Sequence, residues 1–551
     1  MIQDDRKWFE DLRASQSYKD LSDRPIAYFC AEYGISAKIP IYAGGLGILA
    51  ADYVREAIEQ QIPLLAIGLY YAKGFEGRET RKLLNPEEVG LLPVLDNDKN
   101  ILTIAIPIQD HLVYFKAWKW QSGTVLMYLL DSHVNENTIV DQQITDQLYG
   151  MDREQRLKQE MALGIGGMRL IEKIGYHPSH YHLNEGHSAF LIFELISHQM
   201  REHNLSFEQA KEITRERVLY TNHTLLPAGN DTFSNDLVAL VMDLYAKEIK
   251  VPVQTLVEMG LVQQSSTFSM SLLAMRAAGK INTVSKLHSK KAAEIWKDHP
   301  MFPITNGINL KEWDKIVDID RIWQIHLENK IVLLKEIEMR TGEKWDPNTL
   351  LIGWARRMVG YKRPLAIVER LMRFLSITNN TERPVRLVYA GNAHPADSEG
   401  KDTLAELKYR IEKDLKGVAV YLDNYDIDLS KKMISGCDIW ANTPVVGFEA
   451  CGTSGIKAAL NGVLPLTTRD GWVDEVELYK IGWLLDDANI TEDILEKLEH
   501  EILPIYYEKD NNQIPNTWVA MMKNARSLIY NDFSMTRVLR QYLTQGMGIN
   551  P

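Results

Sequence analysis

Short apolar runs alternate along this chain with longer amphipathic stretches, and the alternation comes in two series. The first begins at residues 25–30 (PIAYFC), an apolar run bounded by turn residues, which predicts a buried strand. Gly44, Gly45, Leu46 and Gly47 then lead into an amphipathic helix over 48–60, and residues 63–69 read as the next strand. Strand, glycine-rich loop, helix and strand in that order are the local grammar of an α/β domain. Between 101 and 131 the pattern tightens into closely spaced runs (ILTIAIPI, LVYFKAW, TVLMYLLD), which predict an antiparallel excursion. Helical periodicity returns over 152–174, 189–202 and 207–217, with strand-like HYHL (180–183) and VLYTN (218–222) between, and 265–325 reads as mostly helical and irregular.

The second series starts near residue 349. LLIGW (350–354), VRLVYAG (385–391), VAVYL (418–422), DIW (438–440) and VLPLTT (463–468) predict strands with helices between them, and Pro364 is expected to open a helix at its first position. The change of series falls in the charged helical segment at 325–345. This places a first α/β domain over 1–335 and a second over 336–529, with a helix at about 530–551 packing back on the first. The predicted architecture is two doubly wound, Rossmann-like domains facing a central cleft, with ligands beyond the carboxyl ends of the strands.

Composition narrows the partners. At 551 residues the chain exceeds what one compact core supports. Its 62 basic and 74 acidic residues leave a net charge of −12, which argues against nucleic acid or an anionic membrane and requires any anionic ligand to be held by a local basic cluster. Three scattered cysteines, Cys30, Cys437 and Cys451, point to a reducing compartment without a disulfide framework. The opening stretch has no signal-peptide core and no apolar run is long enough to span a bilayer, so a cytoplasmic location is expected.

One loop supplies the local charge. ARRMVGYKRP follows the strand at 350–354 and sets Arg356, Arg357, Lys362 and Arg363 within eight residues; planar guanidinium forks and a mobile ammonium suit phosphate. A second stretch, GFEACGTSGIKAALNGVLPLTTRDG (447–471), carries an acid (Glu449), a glycine-rich turn (Gly452, Thr453, Ser454, Gly455), a helical lysine (Lys457) and a helix stop (Asn461, Gly462). Thr453 and Ser454 are good N-cap residues, free amides at a helix start attract an anion, and a lysine near that positive end is biased toward its neutral, nucleophilic form. Gly44, Gly45 and Gly47 allow close main-chain approach to an anion or sugar, although their spacing matches neither a P-loop nor a dinucleotide fingerprint. HPSHYHLNEGH (177–187) is rich in histidine, but alternate residues of HYHL point to opposite faces of a strand and no metal is expected. Asn184, Glu185 and His187 read as hydrogen-bonding groups of a polar pocket, and Thr221, Asn222, His223 and Thr224 as either substrate contacts or satisfied turn residues.

EACGTSGIKAALNG resembles the cofactor-lysine motif of the α-glucan (glycogen, starch and maltodextrin) phosphorylases. YAGGLGILAADY, HLNEGHSAF, YTNHTLLPA, ITNGINLKEW, RRMVGYKRPL, the 462–475 segment and WVAMMKNARSLIYNDFSMTRVLRQY extend the resemblance, in order, along most of the chain. It implies the two-domain glycosyltransferase B fold and a pyridoxal 5′-phosphate-dependent hexosyltransferase. Such an enzyme reversibly splits α-1,4 glucans with inorganic phosphate, releasing α-glucose 1-phosphate from the non-reducing end with retained configuration. The resemblance implies that Lys457 carries the cofactor as a Schiff base, that Thr453, Ser454 and Arg356 hold its phosphate, and that Trp313 and Tyr425 pack near it. Arg357, Lys362 and the Gly44 amide would hold the substrate phosphate. Glu449, Cys451, Gly452, His223, Asn306, Gly45 and Leu46 would contact the transferred glucosyl unit, with Glu185 and His187 also on the substrate side. Lys457, Arg357, Lys362 and His223 are the expected catalytic residues. The cofactor acts in the family through its phosphate, which exchanges a proton with the substrate phosphate, rather than as an electron sink. The implied partners are a maltodextrin, glycogen or starch chain, phosphate and, since family members are often dimers, a second copy of the chain.

The chain departs from the family pattern at Asp426, where longer members carry an arginine, and at Arg356 and Cys451, which replace lysine and serine. It is shorter than the longer members and lacks their N-terminal regulatory extension, so their allosteric control is not expected here. The nearest alternative is a nucleotide-sugar glycosyltransferase of the glycogen synthase type, which places a second glutamate eight positions after the first. Lys457 stands eight positions after Glu449, and a lysine forms an imine but accepts no ribose hydrogen bond.

Overall fold

The computed structural model describes residues 2–39, 41–74, 84–149, 152–225, 230–394 and 397–551; the 226–228 part of YTNHTLLPA lies outside them. The chain divides into two units. An N-terminal unit comprises Gln3–Val284, His288–Ile304 and Thr536–Pro551, and a C-terminal unit is formed mainly by Thr305–Met535 with Ser285–Leu287.

Parallel strands that are covered on both faces read as continuous apolar runs, and Ile26–Phe29, Leu64–Leu69, Tyr181–Asn184 and Val218–Asn222 are buried along their whole length. They belong to the ten-stranded sheet of the N-terminal unit. Its parallel part runs, in space, Phe302–Pro303, Lys280–Thr283, Val218–Asn222, Tyr181–Asn184, Ile26–Phe29, Leu64–Leu69, Val125–Asp131. Beyond Val125–Asp131 the tight alternation of 101–131 becomes antiparallel pairing of His111–Ser122 with Val125–Asp131 and Thr103–Ile108. Strand order reverses between Ile26–Phe29 and Tyr181–Asn184, where the connections leave in opposite directions and open α/β sheets bind their ligands.

Two expectations change here. The helix predicted over 48–60 starts earlier, as Gly45–Glu59, and at Gly47 a Cβ would come within 2.8 Å of Glu32 and Tyr42, so the glycine serves close packing inside the first turn. The 265–325 stretch contains the parallel strands Lys280–Thr283, which is largely polar, and Phe302–Pro303, which is only two residues long, so neither makes an apolar run. Thr536–Pro551 completes this unit's packing: Arg540 Nε lies 2.9 Å from Asp5, and the Tyr542 ring stands 5.6 Å from Tyr53 and 4.7 Å from His182.

The C-terminal unit has six parallel strands in the order Ala419–Leu422, Val385–Ala390, Leu350–Ala355, Ile439–Asn442, Leu464–Thr468, Trp483–Leu485. The order reverses between Leu350–Ala355 and Ile439–Asn442. The unit begins at Thr305, before the boundary expected at 335. The charged helix Ile322–Thr341, which looks like a connector in sequence, is anchored in this core: buried Lys330 donates to Thr349 O (2.6 Å), Asp438 Oδ2 (2.5 Å) and Tyr506 Oη (2.9 Å). Pro364 opens no α-helix; turns follow it and the helix begins at Leu371, because Arg363 takes a left-handed conformation (φ 47°) with its guanidinium tied to main-chain carbonyls. Among the described residues no helix is long and apolar enough to cross a membrane.

Candidate active site

The strand Leu350–Ala355 delivers Arg356 at its carboxyl end, and the loop after Ile439–Asn442 delivers Glu449 to the same edge. Arg356 Nη2 lies 3.2 Å from Glu449 Oε1, and Lys362 Nζ lies 3.4 Å from Glu449 Oε2. The side chains are 4%, 12% and 12% exposed for Arg356, Lys362 and Glu449, so water screens the cluster little. Burial alone would raise the Glu449 carboxyl, but Arg356 and Lys362 outweigh it and hold it below the ordinary range. Burial pushes the Lys362 amine down to about 8; Glu449 opposes this and the neighbouring arginines add to it. Arg356 Nη1 is buried and makes no hydrogen bond among the described residues, a costly state that an anion would relieve. Gly452 makes room for the cluster, since a Cβ there would sit 2.8 Å from both Arg356 Nη2 and Glu449 Oε1. Gly391, at φ 120°, abuts the Arg356 main chain, where a Cβ would collide with the carbonyl.

Several long-range bonds fix the loop that carries Glu449. Arg363 donates to Thr443 O (2.8 Å) and Pro444 O (2.7 Å) and pairs with Asp487. Ser285 Oγ donates to Ala450 O (2.7 Å), and Asn306 Nδ2 donates to Cys451 O (3.1 Å). Arg363 therefore fastens the loop and is not one of the phosphate cations that the basic stretch suggested. Arg357 remains exposed beside the buried Arg356.

The helix Ser454–Leu460 ends at Asn461, with Gly462 left-handed at φ 76° as a terminating glycine requires. Thr453 has helical backbone angles and its side chain makes no capping bond, while Ser454 Oγ accepts from Trp440 Nε1 (3.3 Å), so neither residue caps as expected. Lys457 lies in the last turn, where the helix dipole favours a cation, and the argument from a positive helix start fails. What singles out the amine is burial: Lys457 is 4% exposed and its Nζ lies 3.9 Å from the centroid of the Trp313 ring. Asn461 holds that ring in place by donating to Trp313 O (2.9 Å) and accepting from Lys315 N (2.8 Å). Tyr425 Oη donates to Ser430 Oγ (3.0 Å), and the Asp426 carboxylate caps Ile427–Gly436 by accepting from Leu429 N (2.8 Å). A buried primary amine on an aromatic face, in the unit that also holds an orphaned guanidinium nitrogen, fits a group with an aldehyde, a flat ring and a phosphate.

The N-terminal unit presents a different set at its own reversal point. The Gly44 amide, expected to hold substrate phosphate, already donates to Glu32 Oε2 (3.1 Å) beside Ala43 N (2.7 Å). Glu32 Oε1 accepts from Tyr149 Oη (2.6 Å), the Arg156 guanidinium lies over the Tyr149 ring (4.7 Å), and Arg156 Nη2 grips Asp231 (2.7 Å). His187 Nε2 stands 3.5 Å from the same Asp231 oxygen, so the glycine loop and His187 belong to one connected network. Glu32, Arg156 and Asp231 carry no local motif, which is why they are invisible in the sequence. Glu185 has φ 76°, a strained value for a side-chain-bearing residue that costs about 1–3 kcal/mol and marks functional sites. Its carboxyl accepts from His223 N (2.7 Å) and Tyr220 Oη (3.2 Å), and burial pushes it up to about 8 against these donors. His223 Nε2 lies 2.6 Å from Asn184 Oδ1, and burial pushes both His223 and His187 down to about 3. Gly45 and Leu46 open the neighbouring helix, and a Cβ at Gly45 would meet nothing within 4 Å.

Two doubly wound α/β units, each presenting its candidate residues where strand order reverses, define a glycosyltransferase of the B fold. The carbohydrate phosphorylase family model matches residues 171–318 and 308–482. The chain is 36% identical to a maltodextrin phosphorylase of Thermococcus litoralis over 95% of its length and 70% of that protein. It is 32% identical to a glycogen phosphorylase of Aquifex aeolicus (97% of this chain, 87% of the relative) and 29% identical to one of Mycobacterium tuberculosis (97% and 72%). The chain belongs to the carbohydrate phosphorylase family.

Proposed function

We propose that this protein is an α-1,4-glucan phosphorylase. It would cleave non-reducing-end glucosyl units reversibly with inorganic phosphate, give α-glucose 1-phosphate with retention, and depend on pyridoxal 5′-phosphate. The observation that carries this reading is Lys457: a buried amine against the Trp313 face, at the position where a nucleotide-sugar transferase needs an acceptor for ribose.

In this reading Lys457 holds the cofactor's aldehyde carbon and Trp313 packs on its flank. The orphaned Nη1 of Arg356 would take an oxygen of the cofactor's phosphate, and Thr453, Ser454 and Tyr425 would complete its surroundings. Bound there, pyridoxal phosphate supplies a phosphate group able to give and take a proton. Arg357 and Lys362 meet the substrate phosphate, and concentrated positive charge offsets the repulsion between two anions in a poorly hydrated site. Glu449, kept ionised by Arg356 and Lys362, accepts hydrogen bonds from sugar hydroxyls, with Cys451, Gly452 and Asn306 shaping its surroundings. With Asn184 Oδ1 as acceptor, His223 carries its proton on Nε2 and stays neutral. A neutral ring adds no repulsion to an oxocarbenium-like transition state. Glu185 fixes the His223 main chain, whose carbonyl dipole can face that charge. The Gly44 amide takes part only if Glu32 releases it, so Gly45 and Leu46 are the helix-start groups left for substrate.

The test is glucose 1-phosphate release from a maltooligosaccharide ladder with and without inorganic phosphate, together with borohydride reduction and peptide mapping. A phosphate-dependent product and a pyridoxyl group on Lys457 are expected. Chain extension from UDP-glucose or ADP-glucose, with no adduct on Lys457, would replace this reading with the nucleotide-sugar one.

A further inference from the structure

We propose that Asp470 is a positioning residue for the reaction, setting where the Glu449 carboxylate stands by gripping the main chain of the loop that carries it. The proposal rests on the phosphorolysis reading above. Asp470 follows the strand Leu464–Thr468 and is 3% exposed. Its Oδ2 accepts from Gly447 N (3.1 Å) and Glu449 N (2.9 Å), and its Oδ1 accepts from Gly471 N (2.9 Å). Gly447 (φ 88°) and Gly471 (φ 57°) are both left-handed, so the main chain bends twice to bring these amides around one carboxylate.

The other fastenings of this loop hold its flanks. Arg363 takes the carbonyls of Thr443 and Pro444, Tyr361 O accepts from Val445 N (2.8 Å), and Ser285 and Asn306 hold the carbonyls of Ala450 and Cys451. Asp470 alone, among the described residues, binds the amide of Glu449 itself. From that fixed point the Glu449 side chain reaches Arg356 and Lys362.

An uncharged acceptor would satisfy these amides at lower cost. Asp470 has no cation within ion-pair distance among the described residues. Burial, with the Glu449 charge adding to it, pushes its carboxyl up to about 6 against the amide donors. An ionised, cation-free carboxylate beside a second carboxylate is a local expense of the kind that functional sites carry. Held this way, Glu449 keeps a fixed distance from the phosphate cations, and misplacement by about 1 Å at a reacting centre costs on the order of 10²-fold in rate.

The experiment is a double-mutant cycle on the holoenzyme, with Asp470→Ala, Asp470→Asn, Glu449→Gln and the two doubles. Phosphorolysis of maltoheptaose at saturating phosphate is read alongside amide exchange of the 444–452 peptide. We expect Asp470→Ala to lower kcat by about 10²-fold with a smaller change in KM, to speed exchange in that peptide, and to have little further effect in the Glu449→Gln background. Asp470→Asn should behave the same way to a lesser degree, which keeps the test open if the alanine variant folds poorly. Multiplicative effects in the cycle, or exchange as slow as in the unmodified protein, would overturn the proposal and leave the phosphorolysis reading intact. An unmodified enzyme that releases no glucose 1-phosphate would sink that reading and this one together.

Discussion

At the carboxyl edge of the C-terminal sheet, Arg356, Arg357 and Lys362 gather positive charge around one ionised carboxylate. At the corresponding edge of the N-terminal sheet the Arg156–Asp231 pair stays ionised, but burial drives the groups beside it toward neutrality: Glu185 is pushed up to about 8, and His187 and His223 down to about 3. Both sheets reverse strand order between their first and fourth parallel strands, so topology supplies the same kind of place twice. The difference lies in what stands at the strand ends. A charged edge suits phosphate, and a neutral, hydrogen-bonding edge suits a sugar ring that acquires positive character as its bond breaks.

The contrast can be broken at its strongest point first. Lys457→Arg keeps a cation against Trp313 but cannot form an imine, and phosphate-dependent glucose 1-phosphate release should fall to background with no pyridoxyl adduct after borohydride. Lys362→Met removes one cation from the charged edge and should lower kcat/KM for phosphate by about 10²–10³-fold. It should also abolish the decline in phosphate affinity expected of the unmodified enzyme as pH rises through about 8 and Lys362 loses its proton. Gly452→Ala drives a methyl into the ion pair and should cost about 1–3 kcal/mol in urea unfolding of the C-terminal unit.

The N-terminal edge is read through stability rather than turnover. Because the Glu185 carboxyl is raised from 4.5 to about 8, its contribution is complete below 4.5 and is lost as pH rises toward about 8. Over that window the unmodified protein should lose about 1.4 kcal/mol per pH unit relative to Glu185→Gln, seen as converging and then crossing melting temperatures. Gly45→Ala meets no neighbour and sits at a helix start, so it should stabilise by about 0.4–1 kcal/mol. An activity loss in that variant would then report substrate contact at Gly45 rather than misfolding.

The strands that build both sheets were legible wherever burial on two faces made an apolar run, as at Leu64–Leu69 and Leu350–Ala355. Lys280–Thr283 and Trp483–Leu485 were not, because short strands take their identity from neighbours distant in sequence. The basic loop was visible as composition, yet Arg363 belongs to loop fastening, since only tertiary structure sets Thr443, Pro444 and Asp487 around it. The EACGTSGIKAALNG motif marks Lys457 in the sequence, but the dipole argument for it fails at its place in the last turn, and the burial that distinguishes it physically has no local signature. The commitment of the Gly44 amide to Glu32 was equally invisible, because residue 32 lies before the turn and outside any motif.

Tyr542 packs against Tyr53 and His182, and Arg540 pairs with Asp5, so the N-terminal unit draws part of its interior from residues made some five hundred positions later. During synthesis, at about 5–20 residues per second, its sheet must wait on the order of half a minute with that face uncovered while the whole C-terminal unit emerges. The C-terminal unit, whose strands are nearly contiguous in the chain, can close first. A ribosome stalled before residue 536 would hold an N-terminal unit with that face still uncovered.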